Sequence, residues 1–432
     1  MERNILHKLL DWKNSKRRKP LIVEGARQVG KTWAIREFAK RYYDHLAYIN
    51  YEETKHLQGM FLQDYDTNRI LRVIRTQCGV PCEAGKTLIF LDEIQEADGG
   101  LTALKYFCEN CPEHHIIVAG SLLGISLHRG LSFPVGKVNF IQMHPMNFCE
   151  FLMAVGDMAL VSAIEEKDTN TLSLFHDKLT NRLKEYFLVG GMPEAVQAYA
   201  DDAEWSDIRE IHNEILRGYE DDFYKHAEGA LVERLRQVWR SIPSQLSREN
   251  KKFLFGLIRN GARAREYEVA LQWLFDAGIL HQVSRVTKPG LPLSAYRDGK
   301  AFKVYLNDIG LLCAMSGLEA KILLEGSAVF TEFKGALTEQ FVFQQLHETT
   351  ELFYWSKDNS QQEVDFLLQH DNELLPIECK AEENLKSKSL KSFIDEHDIK
   401  HAVKVSMKPY NESAAIVTNA PLYIIPNSLL EK

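Results

Sequence analysis

From residue 20 to 145 short apolar runs of strand length alternate with amphipathic stretches of helical period. The runs are Leu21–Val23, Ala47–Ile49, Thr87–Leu91, Ile116–Ala119 and Val138–Met143. Such alternation predicts a βα-type parallel sheet. From about 148 to 240 the pattern becomes helical, in Phe148–Val155, Leu172–Phe187, Ile208–Tyr219 and Leu231–Trp239. One sharp break, Gly190-Gly191-Met192-Pro193, punctuates it. Residues 245–318 read as a small helical bundle closed by a hairpin, with a β-rich stretch Ala301–Leu306 between Gly299 and Gly310. Beyond 330 the order is helix (Lys334–Leu346), strands (Leu352–Trp355, Glu363–Leu368, Leu375–Cys379), helix (Leu385–Glu396) and strand (Ala402–Ser406).

A chain of 432 residues has room for about three domains at roughly 150 residues each. With 45% apolar and 26% charged residues it has the composition of a globular protein, not a disordered one. No segment reaches the roughly 18–20 apolar residues of a membrane span, so a membrane partner is not expected. Seven cysteines, an odd and sparse number, argue against a disulfide framework and for the cytoplasm. The net charge of −8 is unevenly spread. Residues 1–20 carry seven Lys/Arg and two acids, whereas residues 331–432 carry ten Lys, no Arg and seventeen acids.

The densest chemical signal is Gly25-Ala26-Arg27-Gln28-Val29-Gly30-Lys31-Thr32, which fits G-x-x-x-x-G-K-[ST]. It follows a strand and opens a helix that begins around Trp33, the context a phosphate cradle requires. Glycines let the backbone wrap a phosphate while amides and the helix N-terminus face its charge. Lys31 is expected at the β/γ-phosphates of ATP and the Thr32 hydroxyl on Mg²⁺. Some 60 residues on, Thr87-Leu-Ile-Phe-Leu-Asp92-Glu93 reads as a buried strand delivering two carboxylates to the sheet's C-terminal edge. Asp92 is expected in the Mg²⁺ shell and Glu93 as the base for the attacking water. One strand later Ser121 ends Ala119-Gly120-Ser121 at the same edge, suited to sensing the γ-phosphate or positioning the water, with a plain strand-ending turn as the alternative.

Gly25–Thr32, Leu88–Gln95, Ala119–Leu123 and Gly190–Val196 together resemble the prokaryotic AAA-type ATPases that carry a C-terminal domain of unknown function. The resemblance implies an α/β fold: a basic lead-in (1–20), a P-loop ATPase core (21–147), a helical lid (148–240), a winged-helix-like module (241–325) and a nuclease-like terminal domain (326–432). For a transition-state arginine it leaves Arg129 as a candidate, with an ordinary surface arginine as the alternative. It also leaves a homo-oligomer open.

The terminal domain supplies a second constellation. Glu339 lies on an expected helix, Asp365 in a strand, and Glu378 and Lys380 two apart on the next, hence on one face. A hairpin through Gln369–Glu373 would bring Asp365 near Glu378. This is the order of PD-(D/E)XK nucleases, in which two acids hold Mg²⁺ or Mn²⁺ and the lysine helps activate water. The local negative charge weighs against a phosphate-binding role, although Lys386, Lys388 and Lys391 lie close by. In the winged-helix-like stretch the recognition helix would be Tyr267–Ala277. It carries Glu268 and Asp276, with Glu266 just before it, a poor face for DNA, although Arg259, Arg263 and Arg265 could touch phosphates. Cys78, Cys82, Cys108 and Cys111 have a spacing off the best for zinc, which is not expected. The run Lys16-Arg17-Arg18-Lys19 is either a nucleic-acid patch or a solvated lead-in. Two functions follow: an ATPase that grips or cuts DNA through its terminal domain, or an ATP-dependent switch on a protein partner whose nuclease fold is inactive.

Overall fold

The computed structural model describes residues 1–121, 123–128, 135–248, 251–325, 331–357, 362–370, 372–381, 388–410 and 416–425. They form two compact units: Met1–His144 with Asp276–Ile279, and Pro145–Phe275 with Leu280–Lys432.

The first unit runs α1 (Ile5–Asn14), β1 (Leu21–Glu24), α2 (Lys31–Tyr42), β2 (His45–Asn50), α3 (Thr67–Cys78), β3 (Thr87–Asp92), α4 (Gly100–Asn110), β4 (His115–Ala119), α5 (Leu123–His128) and β5 (Asn139–Gln142). Among the described residues its strands form one parallel sheet in the order β2-β3-β4-β1-β5. A parallel sheet is covered on both faces, so its inner strands read as unbroken apolar runs; every residue of β3 and β4 is buried. At the edge, β5 alternates and leaves Phe140 exposed. Helix α3 starts on Asp66, whose side chain accepts from Asn68 N, and stops at left-handed Gly79. Its Ile70 and Ile74 join Leu104 and Phe107 of α4 over Ile89, Leu91, Ile116 and Val118. Each such side chain contributes about 1.5–3 kcal/mol by leaving water.

The lead-in differs from expectation. It contains α1, whose Ile5, Leu6, Leu9 and Trp12 are buried. Half of its basic run is turned onto backbone: Arg18 donates to the carbonyls of Lys13 and Pro112 (both 3.2 Å) and Lys19 to that of Gly136 (2.6 Å), while Lys16 and Arg17 are exposed.

The second unit begins with seven helices among the described residues: α6 (Phe148–Ala154), α7 (Met158–Glu165), α8 (Thr169–Leu174), α9 (His176–Val189), α10 (Pro193–Ala200), α11 (Trp205–His226) and α12 (Ala230–Leu246). After α13 (Ala264–Asp276) come β6 (Leu280–Val286), β7 (Arg297–Leu306), α14 (Ile309–Met315), α15 (Ala320–Glu325), α16 (Thr331–Leu346), β8 (Phe353–Ser356), β9 (Glu363–His370), β10 (Glu373–Cys379), α17 (Lys388–His397), β11 (Ala402–Ser406) and β12 (Val417–Pro421). The Gly190-Gly191 break is a packing joint. Asp308, the cap of α14, accepts from Leu311 N (3.0 Å) and Gly191 N (2.6 Å), and a Cβ on Gly190 would lie 2.1 Å from its carboxylate.

The seven described strands form one mixed sheet, β12-β11-β10-β9-β8-β6-β7. The hairpin expected within 245–318 is β6–β7, but it joins this larger sheet instead of closing a helical bundle. Strand β6 pairs antiparallel with β7 and parallel with β8, Ser284 lying opposite Phe353. Strands on either side of residues 325/326 therefore share one sheet. No helix of the described residues is long and apolar enough to cross a membrane.

Candidate functional site

The phosphate loop joins β1 to α2. Gly25 has φ 145°, and a Cβ there would lie 2.2 Å from the Met143 carbonyl, so no side chain fits. Gly30 is left-handed (φ 92°) and precedes the first turn of α2, whose amides have no partner within the helix. Gln28 is also left-handed, with φ 65°. Lys31 is buried, its Nζ 2.8 Å from the carbonyls of Gly25 and Ala26, so the ammonium is folded back over the loop. Arg3 reaches across from the chain's start and donates to Val29 O (3.2 Å) and His144 O (2.8 Å). Trp33, in the first turn, is exposed, and Arg27 is half-buried. Gly278, in the segment Asp276–Ile279 of this unit, is also close: its Cβ would lie 3.5 Å from Ala26 N.

At the end of β3 Asp92 is buried, and its Oδ2 accepts from Thr32 Oγ1 at 2.8 Å and from Tyr48 at 3.2 Å. Burial pushes its carboxyl above the ordinary range, against the Thr32 hydrogen bond. Glu93 follows in the left-handed region (φ 50°), which turns its side chain along the sheet edge. There its Oε2 accepts from Gln95 Nε2 (2.5 Å), Ser121 N (3.3 Å) and Ser121 Oγ (3.5 Å). A Cβ on Gly120 would lie 2.1 Å from Gln95 Oε1, so Gln95 packs where only a glycine leaves room. The expected residues Lys31, Thr32, Asp92, Glu93 and Ser121 are thus brought together; Arg129 lies outside the described residues. Tyr48, Gln95 and Arg3 were not foreseen. Gln95 follows Glu93 by two in a tight turn, a legible proximity; Tyr48 and Arg3 depend on strand order and chain path. Arg36 stacks on Tyr48, 4.2 Å from the ring centroid.

Thr32 and Asp92 offer a hydroxyl and a carboxylate side by side, hard oxygens of the type Mg²⁺ takes beside phosphates. Mg²⁺ therefore fits this donor set.

The C-terminal carboxylates also converge, though differently from expectation. Strands β9 and β10 form the expected antiparallel hairpin, with Phe366 opposite Ile377. One step beyond, Asp365 accepts from Cys379 N at 2.7 Å. Burial, then the nearby Glu339 and Glu378, hold the Asp365 carboxyl well above the ordinary range. Glu378 and Lys380 form an ion pair of 2.7 Å. Glu339 on α16 is buried and ion-paired with Lys251 and Lys303. Burial opposes ionisation of Glu339, but the two ammonium groups outweigh it and lower its pKa. Among the described residues no three His, Cys, Asp or Glu side chains form a group that could hold a metal ion. Of the nuclease-like set, Glu339 and Glu378 are each ion-paired with lysine, and Asp365 accepts from a backbone amide. Lys386 lies outside the described residues, and Arg259 is ion-paired with Glu266 at 2.6 Å. Cys78 and Cys82 donate to the carbonyls of Tyr48 and Leu71.

Residues 17–152 match the family model of an AAA domain. The parallel sheet and the phosphate loop both lie within that matched segment. Residues 180–322 match a domain of unknown function, DUF8612, and residues 334–426 another, DUF4143. No curated protein matches the chain. Among solved structures it is similar to the ORC1 protein of Aeropyrum pernix in complex with DNA (14% identity, 73% of this chain and 90% of that one, TM-score 0.27). It is also similar to Cdc6p of Pyrobaculum aerophilum (12% identity, 74% and 93%, TM-score 0.24). A third likeness is to Drosophila ORC bound to DNA (14% identity, 69% and 89%, TM-score 0.23).

Proposed function

We propose that the chain is an ATP-driven switch acting on a protein partner, with the residues of Gly25–Trp33 binding ATP and Glu93 promoting its hydrolysis. The observation that carries this reading is the meeting of Lys31, Thr32, Asp92 and Glu93 at one sheet edge. The amides of the loop and of the first turn of α2 receive the phosphates, and Lys31 exchanges its two carbonyl bonds for phosphate oxygens. Thr32 and Asp92 hold Mg²⁺, which when bound offsets the charge of the transferring phosphoryl group. Glu93 takes a proton from the attacking water, while Gln95 and Ser121 aim its carboxylate. Ser121, at the same edge, is also placed to sense the γ-phosphate.

The alternative of DNA cutting by a PD-(D/E)XK fold keeps its residue order in Glu339, Asp365, Glu378 and Lys380. It is weakened by the lysines on Glu339 and by the acid-rich, arginine-free terminal region. Steady-state ATP turnover tests the main reading. Glu93→Gln should bind ATP normally and turn it over slower by about two to four orders of magnitude, and Lys31→Ala should lose nucleotide binding. Turnover unchanged in both variants would refute it.

A further inference from the structure

We infer that the C-terminal carboxylate cluster is an ion-pair clamp closed by Lys251 and Lys303, whose ammonium groups supply to Glu339 and Glu363 the counter-charge that a divalent cation would supply in a hydrolytic centre. This rests on the proposed reading only in its residue order, and its test uses no ATP.

Both oxygens of Glu339 are engaged. Lys251 Nζ, almost fully buried, donates to Oε1 and also to Gly335 O at 3.2 Å. Oε2 accepts from Lys303 Nζ at 3.3 Å and from Tyr305 Oη at 3.1 Å. Lys303, with no exposed surface, also pairs with Glu363 at 2.6 Å and lies 5.0 Å from the centroid of the Tyr354 ring. Glu378 is paired with Lys380, and Asp365 receives Cys379 N. Three lysines thus face Glu339, Glu363 and Glu378.

The placement is built into the backbone. Lys252 bridges Lys303 in antiparallel fashion, and Phe253 N donates to Phe302 O at 2.8 Å. This short annex to β7 sets Lys251 beside α16, so one cluster ties the 251–253 segment, β7 and β9 to the helix. A divalent ion reaching Glu339 would meet two ammonium groups in a poorly solvated site, where like-charge repulsion is strong. Removing either lysine instead leaves Glu339 buried with one of its two counter-charges gone, a change proteins tolerate badly.

The test is Mn²⁺ binding to the nucleotide-free full chain, read by the electron paramagnetic resonance of the unbound ion, with Asp365→Asn as the site-specific control. Wild type and Asp365→Asn should take up Mn²⁺ alike, and neither should nick plasmid DNA in Mn²⁺. In thermal denaturation Lys251→Met and Glu339→Gln should each lower Tm by roughly 5–10 °C. The Lys251→Met/Glu339→Gln double variant should lose clearly less than the two shifts added. Stoichiometric Mn²⁺ binding, or nicking, that Asp365→Asn abolishes would overturn the clamp. So would additive Tm shifts in the double variant.

Discussion

Asp92 Oδ2 accepts two hydroxyl donors, Thr32 at 2.8 Å and Tyr48 at 3.2 Å, and the two bonds have different fates. In the proposed Mg²⁺ site Thr32 would offer an oxygen lone pair to the metal, whereas Tyr48 would only donate to the carboxylate. Tyr48 therefore acts as a positioning residue that fixes the carboxylate's rotation. Tyr48→Phe removes about 0.5–1.5 kcal/mol of orienting interaction, so ATP turnover should fall about threefold to tenfold with little change in nucleotide affinity without Mg²⁺. An equal loss of affinity in the absence of the metal would assign Tyr48 to packing. A different residue sets a pH limit. His212 on α11 is buried with Nε2 2.9 Å from Val189 O, and burial lowers its pKa to about 4. Its unfolded value is near 6.5, so protons bind the unfolded chain first as the medium acidifies. Its stability contribution is whole above about pH 6.5 and is lost as pH falls toward 4. At pH 5 the loss comes to about 2 kcal/mol relative to pH 7.5. Denaturant midpoints measured at the two pH values should converge in His212→Gln, which retains a donor for Val189 O.

Elements differ in how openly the sequence announces them. Strands β1, β3 and β4 are buried on both faces of a parallel sheet, so apolar runs mark them almost to the residue. Strand β6 is hidden because His281, Gln282, Ser284 and Arg285 interrupt the pattern. Its pairing with β8 also joins residues some seventy apart, which no local period records. Helix α1 is masked by the charges around its buried stripe. The site shows the same split. Lys31, Thr32, Asp92, Glu93, Glu339, Asp365 and Glu378 are legible because chemistry fixes their type and spacing. Lys251 and Lys303 are not, since their role depends on the Lys252–Lys303 bridge beside α16. Arg3 belongs with them. It sits just before α1 and holds a loop carbonyl, Val29 O, together with His144 O. Arg3→Ala leaves two carbonyls short of a donor, at about 1–3 kcal/mol. A lower Tm with weakened ATP binding by calorimetry is expected, and unchanged ATP affinity would confine Arg3 to stability.

At the scale of the whole chain, the proposed switch can be followed along the polypeptide, and the segment Asp276–Ile279 is one covalent connection between the two units. It belongs to the first unit although the chain on both sides of it belongs to the second. Within the first unit it lies against α5 and the phosphate loop. A Cβ on Gly124 would meet Asp276 O at 2.1 Å, and one on Gly278 would approach Ala26 N to 3.5 Å. Gly278 itself is left-handed, with φ 69°, a conformation that disfavours any side chain. A loop rearrangement as Lys31 leaves the Gly25 and Ala26 carbonyls should therefore be felt at Gly278. Hydrogen exchange on the Glu93→Gln variant, which holds ATP, checks this. Protection should rise across Gly25–Thr32 and also at Asp276–Ile279. Gly278→Ala, strained by about 1 kcal/mol at this φ, should blunt the second change while sparing the first. Protection confined to the phosphate loop would mean that Asp276–Ile279 is a passive tether.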